Sequence, residues 1–261
     1  MSFDLRRYNR DAWNHQVATG NKWTVPVTPD VIESARAGDW SIVLTPVKPV
    51  PKAWFPADLR GVSVLGLAAG GGQQGPILAA AGATVTIFDN SPAQLEQDRV
   101  VAAREGLDIR VVEGDMRDLS ALDDASFDLI VHPCSNCFVP DIGPVWRESA
   151  RVLKPGGSLI AGFLKPSYFM FAFDDAGKST LKVQYPLPYS DLTSIDAAKR
   201  DAFIAQNEPL CFSHTLTAQL GGQLDAGLAL TGMFEDRFPA DANDALSRYM
   251  PTFIATRSTK L

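Results

Sequence analysis

Between residues 62 and 89 the chain reads as strand, glycine cluster, helix and strand, and no other segment restricts its fold as tightly. A short apolar run at 62–67 meets four glycines, Gly70, Gly71, Gly72 and Gly75. An alanine-rich helix is expected at 76–81, then a second strand at 84–88 closed by Asp89. Glycines between a strand and a helix let a ligand approach the backbone and the helix N-terminus. An acid closing the next strand is placed to take two ribose hydroxyls. The segment implies a site for an adenosine-containing cofactor.

The rhythm continues on either side. Strands are expected at 62–67, 84–88, 108–112, 127–131 and 157–163, with a helix from Ser91-Pro92 to about Arg104 and another over 142–153. Such alternation predicts a doubly wound α/β fold, a parallel sheet with helices on both faces. Residues 165–213 break the pattern with aromatics, prolines and one polar helix near 193–206. A last helix at 215–228 precedes strand-like runs at 229–237 and 252–258. The chain divides into an N-terminal helical lid (1–60), a cofactor-binding core (61–164), an inserted cap (165–213) and the completion of the core (214–261).

Length and composition bound the class. A chain of 261 residues with 46% hydrophobic and 21% charged residues has the makeup of a globular protein. A net charge of −6, with Lys and Arg in no run, argues against a nucleic-acid partner. Three cysteines make no disulfide framework and point to a reducing compartment. No apolar run reaches the ~18 residues of a membrane span, and the N-terminus has no apolar signal region. These features together predict a cytoplasmic protein.

Two readings of the glycine loop compete. Gly70-Gly71-Gly72-Gln73-Gln74-Gly75 matches G-x-G-x-x-G literally, with Asp89 at about the dinucleotide spacing, which suggests a nicotinamide-dependent oxidoreductase. In that fingerprint the strand runs directly into the first glycine, whereas Ala68-Ala69 intervene here. Further on, Glu113-Gly114-Asp115-Met116 follows the third strand, and 127–131 leads through a helix to Arg151-Val152-Leu153-Lys154-Pro155-Gly156-Gly157. This ordered set over 62–163 resembles the class I S-adenosylmethionine-dependent methyltransferase family.

The resemblance implies a Rossmann-like sheet of seven strands, mostly parallel with the last antiparallel. It also implies roles for particular residues: Ala68, Gly70 and Gly72 around the methionine half of S-adenosylmethionine, Asp89 with Asn90 at the ribose, and Asp115 with Met116 at the adenine. The family usually carries an acid where Gly66 stands and a glycine where Ala68 stands. With the acid gone, Gln73 or a loop carbonyl is the expected partner of the cofactor's ammonium group.

The acceptor is expected beyond the carboxyl ends of the strands. The loop His132-Pro133-Cys134-Ser135-Asn136-Cys137-Phe138 does not match the tetrapeptide of nucleobase amino-methylating enzymes. His132 is a candidate base and cofactor contact, and Ser135 and Asn136 are candidate substrate contacts. His214, placed before the last large helix, is the preferred base by resemblance. Tyr168 and Tyr189, with Phe169, Phe171 and Tyr185, form either an acceptor wall or the cap's own core. Tyr8, Trp13, Trp23 and Trp54 are candidates for the lid, with Trp23 against the substrate. Cys134-x-x-Cys137 lacks the further ligands a structural zinc needs, and no metal is expected.

The leading expectation is a methyltransferase releasing S-adenosylhomocysteine and acting on a small-molecule acceptor. The nicotinamide oxidoreductase and a non-catalytic S-adenosylmethionine-binding protein are the alternatives, and the oligomeric state is open.

Overall fold

The computed structural model describes residues 3–171 and 181–261. Part of the expected cap, 172–180, lies outside the described residues. The first elements are helices α1 (Leu5–Ala18) and α2 (Pro29–Arg36). The core follows with β1 (Ser63–Leu67), α3 (Gln74–Ala80), β2 (Thr84–Asp89), α4 (Pro92–Glu105), β3 (Ile109–Glu113), β4 (Phe127–His132), α5 (Gly143–Val152) and β5 (Leu153–Leu164). Helix α6 (Ala197–Ala205), helix α7 (Gly222–Asp225), β6 (Leu228–Asp236) and β7 (Phe253–Lys260) complete the chain.

The seven strands form one sheet in the order β3-β2-β1-β4-β5-β7-β6. Strands β1 to β5 pair in parallel, and β7 runs antiparallel to both β5 and β6. The expected seven-stranded, mostly parallel sheet with an antiparallel last strand is therefore present.

Alternation along the strands distributes side chains between the two faces. Leu65 and Leu67 of β1, Ile130 of β4 and Leu159 of β5 join Val145 and Trp146 of α5 in one buried cluster. Val64, Leu129, Val131 and Ile160 face the other way, against Ile77 and Leu78 of α3 and Leu95 of α4. Local signals set the helix ends. The Ser91 hydroxyl accepts from the Gln94 N–H at 3.1 Å, Pro92 opens α4, and Gly106 closes it in the left-handed region at φ 64°.

Two elements differ from expectation. Strand β5 begins at Leu153, not at 157, because Phe127 pairs with Leu153 before Leu129 pairs with Ser158. The Lys-Pro-Gly-Gly turn is taken up as an irregularity within the strand, with Gly156 at φ 77°. The expected helix at 215–228 is a wide π turn over Thr217–Gly221 running into α7. Trp146 Nε1 donates to Ala218 O at 2.9 Å and Gln223 Nε2 donates to Gln219 O at 2.8 Å. Side chains thus take carbonyls that an α-helical ladder would use.

The N-terminal segment crosses the carboxyl ends of the strands. Asn9 Nδ2 donates to the carbonyls of Phe138 and Leu210, and Asn9 Oδ1 accepts from Leu210 N–H at 2.9 Å. Helix α1 is thereby tied to the loop after β4 and to the segment after α6. Among the described residues, no helix is long and apolar enough to cross a membrane.

Candidate functional site

The glycine loop turns at Ala68. That residue sits in the left-handed region at φ 47°, and its N–H donates to Phe88 O at 2.7 Å. Gly71 (φ 116°) and Gly72 (φ 68°) continue the turn, where a side chain would be strained. There is also no room for one. An ideal Cβ on Gly71 would lie 3.0 Å from Trp23 O, and one on Gly72 would lie 2.9 Å from Gln97 O. The N-terminal segment closes over this loop: Val27 N–H donates to Gly72 O at 2.9 Å, and Gln73 Nε2 donates to the carbonyls of Lys22 and Val25 at 3.0 Å each. Gln73 Oε1 remains as an acceptor.

Beneath the loop, α4 contributes two residues that the sequence reading did not single out. Gly71 N–H donates to Gln94 O at 3.0 Å and to Asp98 Oδ2 at 3.0 Å. Asp98 is fully buried, and burial lifts its carboxyl to about 8 against the pull of the Gly72 and Gly71 N–H groups.

Asp89 closes β2 with both oxygens engaged. Oδ2 accepts from Gly70 N–H at 3.0 Å and Oδ1 from Ser91 N–H at 2.9 Å. Burial pushes its carboxyl above the usual range. Asn90 exchanges hydrogen bonds with Arg6 of α1, Arg6 Nε to Asn90 Oδ1 at 3.1 Å and Asn90 Nδ2 to Arg6 O at 3.0 Å. After β3, Arg117 grips Asp115 through its N–H, Nε and guanidinium ends. Burial alone would raise Asp115, but the Arg117 hydrogen bonds and the charges of Arg117 and Arg6 outweigh it and hold the carboxyl below its usual range. The Met116 N–H has no acceptor among the described residues.

These residues line one cavity of about 340 Å³, within the range of small-molecule sites. Ala68, Gly70, Gln73, Asp89, Asn90, Asp115 and Met116 are all in its wall, with Trp23 and Ser135. Its charged lining residues among those described are Arg6, Asp89, Asp115 and Arg117, at α1 and the ends of β2 and β3. The opposite side, near the ends of β5 and β7, is walled by Leu164, Phe253, Phe238, Phe138, Trp13 and thiols. Strands β2 and β5 are three places apart in the sheet, about 14 Å. Trp13 meets Phe138 edge-on at 5.0 Å.

Cys134, Cys137 and Cys211 all reach this wall. The Cys137 thiol is pushed well up by hydrogen bonding with Cys134 and Cys211 and by burial, so it stays protonated. Among the described residues no group of three or more His, Cys, Asp or Glu is arranged to hold a metal ion.

Several expected residues lie elsewhere. Gly72 supports the loop from behind. His132 is fully buried, Nδ1 lying 2.7 Å from Leu67 O and Nε2 2.7 Å from Asn136 Oδ1. Asn136 in turn donates from Nδ2 to Gln219 Oε1 at 2.9 Å. His214 is also buried, with Nε2 2.9 Å from Asn136 O. Burial lowers both imidazoles, and neither they nor Asn136 line the cavity. Neither ring is therefore placed to meet a molecule in the cavity, and each bonds instead to Asn136 of the loop after β4. Parity explains His132, which shares a strand face with Ile130 and so points toward Trp146, 6.1 Å away.

Tyr168 and Tyr189 also miss the cavity. They cluster with Phe169, Tyr185, Ile195 and Cys137 of the loop after β4, Phe169 stacking on Tyr189 at 5.5 Å. Trp54 packs on Phe234 of β6, away from the site. Gln94 and Asp98 could have been found from their spacing of one helical turn on α4, just after the acid-ended strand.

Comparison with known proteins places this geometry. The family model described as "Methyltransferase domain" matches residues 65–161. An uncharacterized methyltransferase of Bacillus subtilis (strain 168), YbaJ, is 49% identical over 98% of this chain and 99% of its own length. A ubiquinone biosynthesis O-methyltransferase of Xanthomonas oryzae pv. oryzae (strain PXO99A) is 32% identical over 46% of this chain and half of its own length. Among solved structures, an S-adenosylmethionine-dependent methyltransferase from Mesorhizobium loti shares the fold, with a TM-score of 0.63 at 22% identity over 80% of this chain and 95% of that one.

Proposed function

The chain belongs to the class I S-adenosylmethionine-dependent methyltransferase family, and on that premise we propose that it methylates a small, apolar molecule seated in the uncharged half of the cavity. The observation that supports this reading is the division of one cavity into a charged end and an apolar end.

The residues at the charged end fit the cofactor. The loop backbone from Ala68 to Gly70 faces the cavity and is open to close approach by the methionine half, with Gln73 Oε1 as acceptor for the ammonium group. Asp89, an acceptor fixed by two N–H groups, takes the ribose hydroxyls, with Asn90 beside it. The Met116 N–H is directed to the adenine, and Asp115 is held ionised for its amino group by Arg117. The literal dinucleotide match is set aside because the backbone turns at Ala68, two residues before the first glycine of that pattern.

When bound, S-adenosylmethionine supplies a sulfonium methyl that is already electrophilic, so transfer is an in-line displacement. The protein's part is alignment and exclusion of water. Trp13, Trp23 and Phe138 cover the cavity, while Ser135, whose hydroxyl donates to Pro133 O at 2.9 Å, keeps lone pairs for an acceptor's proton. With both imidazoles committed elsewhere, the acceptor is a molecule that arrives as a competent nucleophile.

Calorimetry with S-adenosylhomocysteine, followed by a screen of apolar acceptors with methyl-labelled cofactor, tests the proposal. Label in an organic-extractable product is the expected result. Firm binding with no transfer to any acceptor would instead mark a cofactor-binding protein, and NADH binding with a silent S-adenosylhomocysteine titration would mark an oxidoreductase.

A further inference from the structure

Gly66 of the loop strand has no free space for a side chain. An ideal Cβ on Gly66 would lie 2.5 Å from Ile87 Cδ1, and one on Gly75 would lie at the same distance from that methyl. At Gly66, β1 offers the loop no side chain. One arrives from α4 instead: Asp98 Oδ2 takes the Gly71 N–H.

The other Asp98 oxygen poses a problem. Oδ1 is buried with no hydrogen-bond donor, and so is Gln94 Oε1, one helical turn earlier on the same helix. The two atoms face the loop and the start of α3 that follows it. Gln94 Oε1 is 3.0 Å from the Cβ position of Gly71, and Asp98 Oδ1 is 3.4 Å from that of Gly75. Two buried acceptors without donors, one helical turn apart on α4, are costly, and a proton on one that is donated to the other satisfies both.

We propose that Asp98 carries a proton at neutral pH, donated from Oδ1 to Gln94 Oε1, and that this uncharged acid–amide pair braces the glycine loop from beneath. Asp98 is thus a positioning residue, acting on the cofactor through Gly71. Gly70 and Gln94 are both residues of the cavity wall, so movement of the brace reaches the bound molecule. Burial already favours the neutral acid, and Asp89, the other charge acting on Asp98, favours it too. Loss of the proton would leave a buried carboxylate facing an amide oxygen and would loosen the loop.

The test rests on the cofactor reading above and compares the wild type with Asp98→Asn and Asp98→Ala. Asn reproduces the neutral acid, with Nδ2 donating to Gln94 Oε1 and Oδ1 accepting from Gly71. It is expected to keep S-adenosylhomocysteine affinity near the wild-type value at pH 6.5. Ala is expected to weaken it about tenfold. Between pH 6.5 and 9 the wild-type affinity falls, and the Asn variant loses that decline. Carbon-13 NMR of aspartate-labelled protein, free of ligand, should show one carboxyl that titrates near 8, absent in Asp98→Asn. If Asn weakens binding as much as Ala, or if that carboxyl titrates below pH 5, Asp98 is ionised, the Gln94 amide turns its NH2 to it, and the proposal fails. Absence of binding by the wild type would overturn the cofactor reading alone, since the ligand-free titration still decides the proton.

Discussion

The δ-methyl of Ile87 occupies the space that any side chain at Gly66 would need, 2.5 Å from the ideal Cβ position. Ile87 is fully buried and is hemmed on its other side by Gly75, so it has little freedom to withdraw. Gly66→Ala should therefore destabilise by about 1–3 kcal/mol through overpacking. Ile87→Val, which removes the methyl, should cost about 0.5–1.5 kcal/mol alone. Combined, the two should be less harmful than their sum by about 1 kcal/mol or more, read from urea midpoints in a double-mutant cycle. Additive costs would mean that the two sites do not share this space.

Much of this was legible in the sequence because the signals are local. The run into Gly70-Gly71-Gly72, the Ser91-Pro92 helix start and the acid after each of β2 and β3 place Asp89 and Asp115 with no knowledge of tertiary packing. The histidines were not legible in this way. Whether a ring at a strand end enters the cavity depends on which face it shares, and His132 falls on the face of Trp146. Tyr168 and Tyr189 look the same in a cap that lines a ligand and in one that packs on itself. For Asp98 the spacing on α4 marks only a shared helix face with Gln94; its partner, the Gly71 N–H, is brought to it when α4 docks under the loop.

Asp89→Asn should be more damaging than loss of charge alone. Both carboxylate oxygens accept from backbone N–H groups, those of Gly70 and Ser91. An amide can satisfy one and must turn its own NH2 against the other. A buried unsatisfied donor costs about 1–3 kcal/mol, and S-adenosylhomocysteine affinity should fall about 10- to 100-fold by calorimetry. Unchanged affinity would remove Asp89 from the site.

His214→Ala separates a structural imidazole from a catalytic one. A lost general base lowers kcat by about 10²–10⁴-fold. With His214 bonded to Asn136 O and absent from the cavity wall, the variant should instead melt at a lower temperature while retaining kcat within about threefold per folded molecule, far short of that base effect. A kcat loss in the general-base range with intact cofactor binding would restore the base assignment.

Asp98 also makes stability depend on pH, with a definite sign. Its folded value is raised to about 8, so the folded chain keeps a proton that the unfolded chain, titrating near ~4, has already lost. This contribution is fully present below about pH 4, is lost as the pH climbs through about 8, and is level above that. His132, lowered by burial, acts oppositely, and its contribution is lost as the pH falls below its unfolded value near ~6.5. Subtracting the two proteins isolates Asp98. The melting temperature of Asp98→Asn relative to the wild type should rise from pH 5 to about pH 8 and then stay constant. A difference independent of pH would show that Asp98 does not titrate in this range.

Ala68 carries strain that the rest of the loop avoids. At φ 47° its side chain sits in the left-handed region, which costs a non-glycine residue about 1–2 kcal/mol. The conformation is imposed, because Ala68 N–H must reach Phe88 O for the chain to leave β1 and enter the loop. Ala68→Gly relieves the strain but adds freedom to the unfolded chain and removes a methyl packed on the core beside Leu67. The first effect should prevail, for a gain of up to about 1 kcal/mol in the urea midpoint. Because Ala68 is in the cavity wall, cofactor affinity measured on the same variant reports whether the strain serves binding. Greater stability with weaker affinity would mean that the alanine methyl is itself a contact, whereas a gain in both assigns the strain to the turn alone.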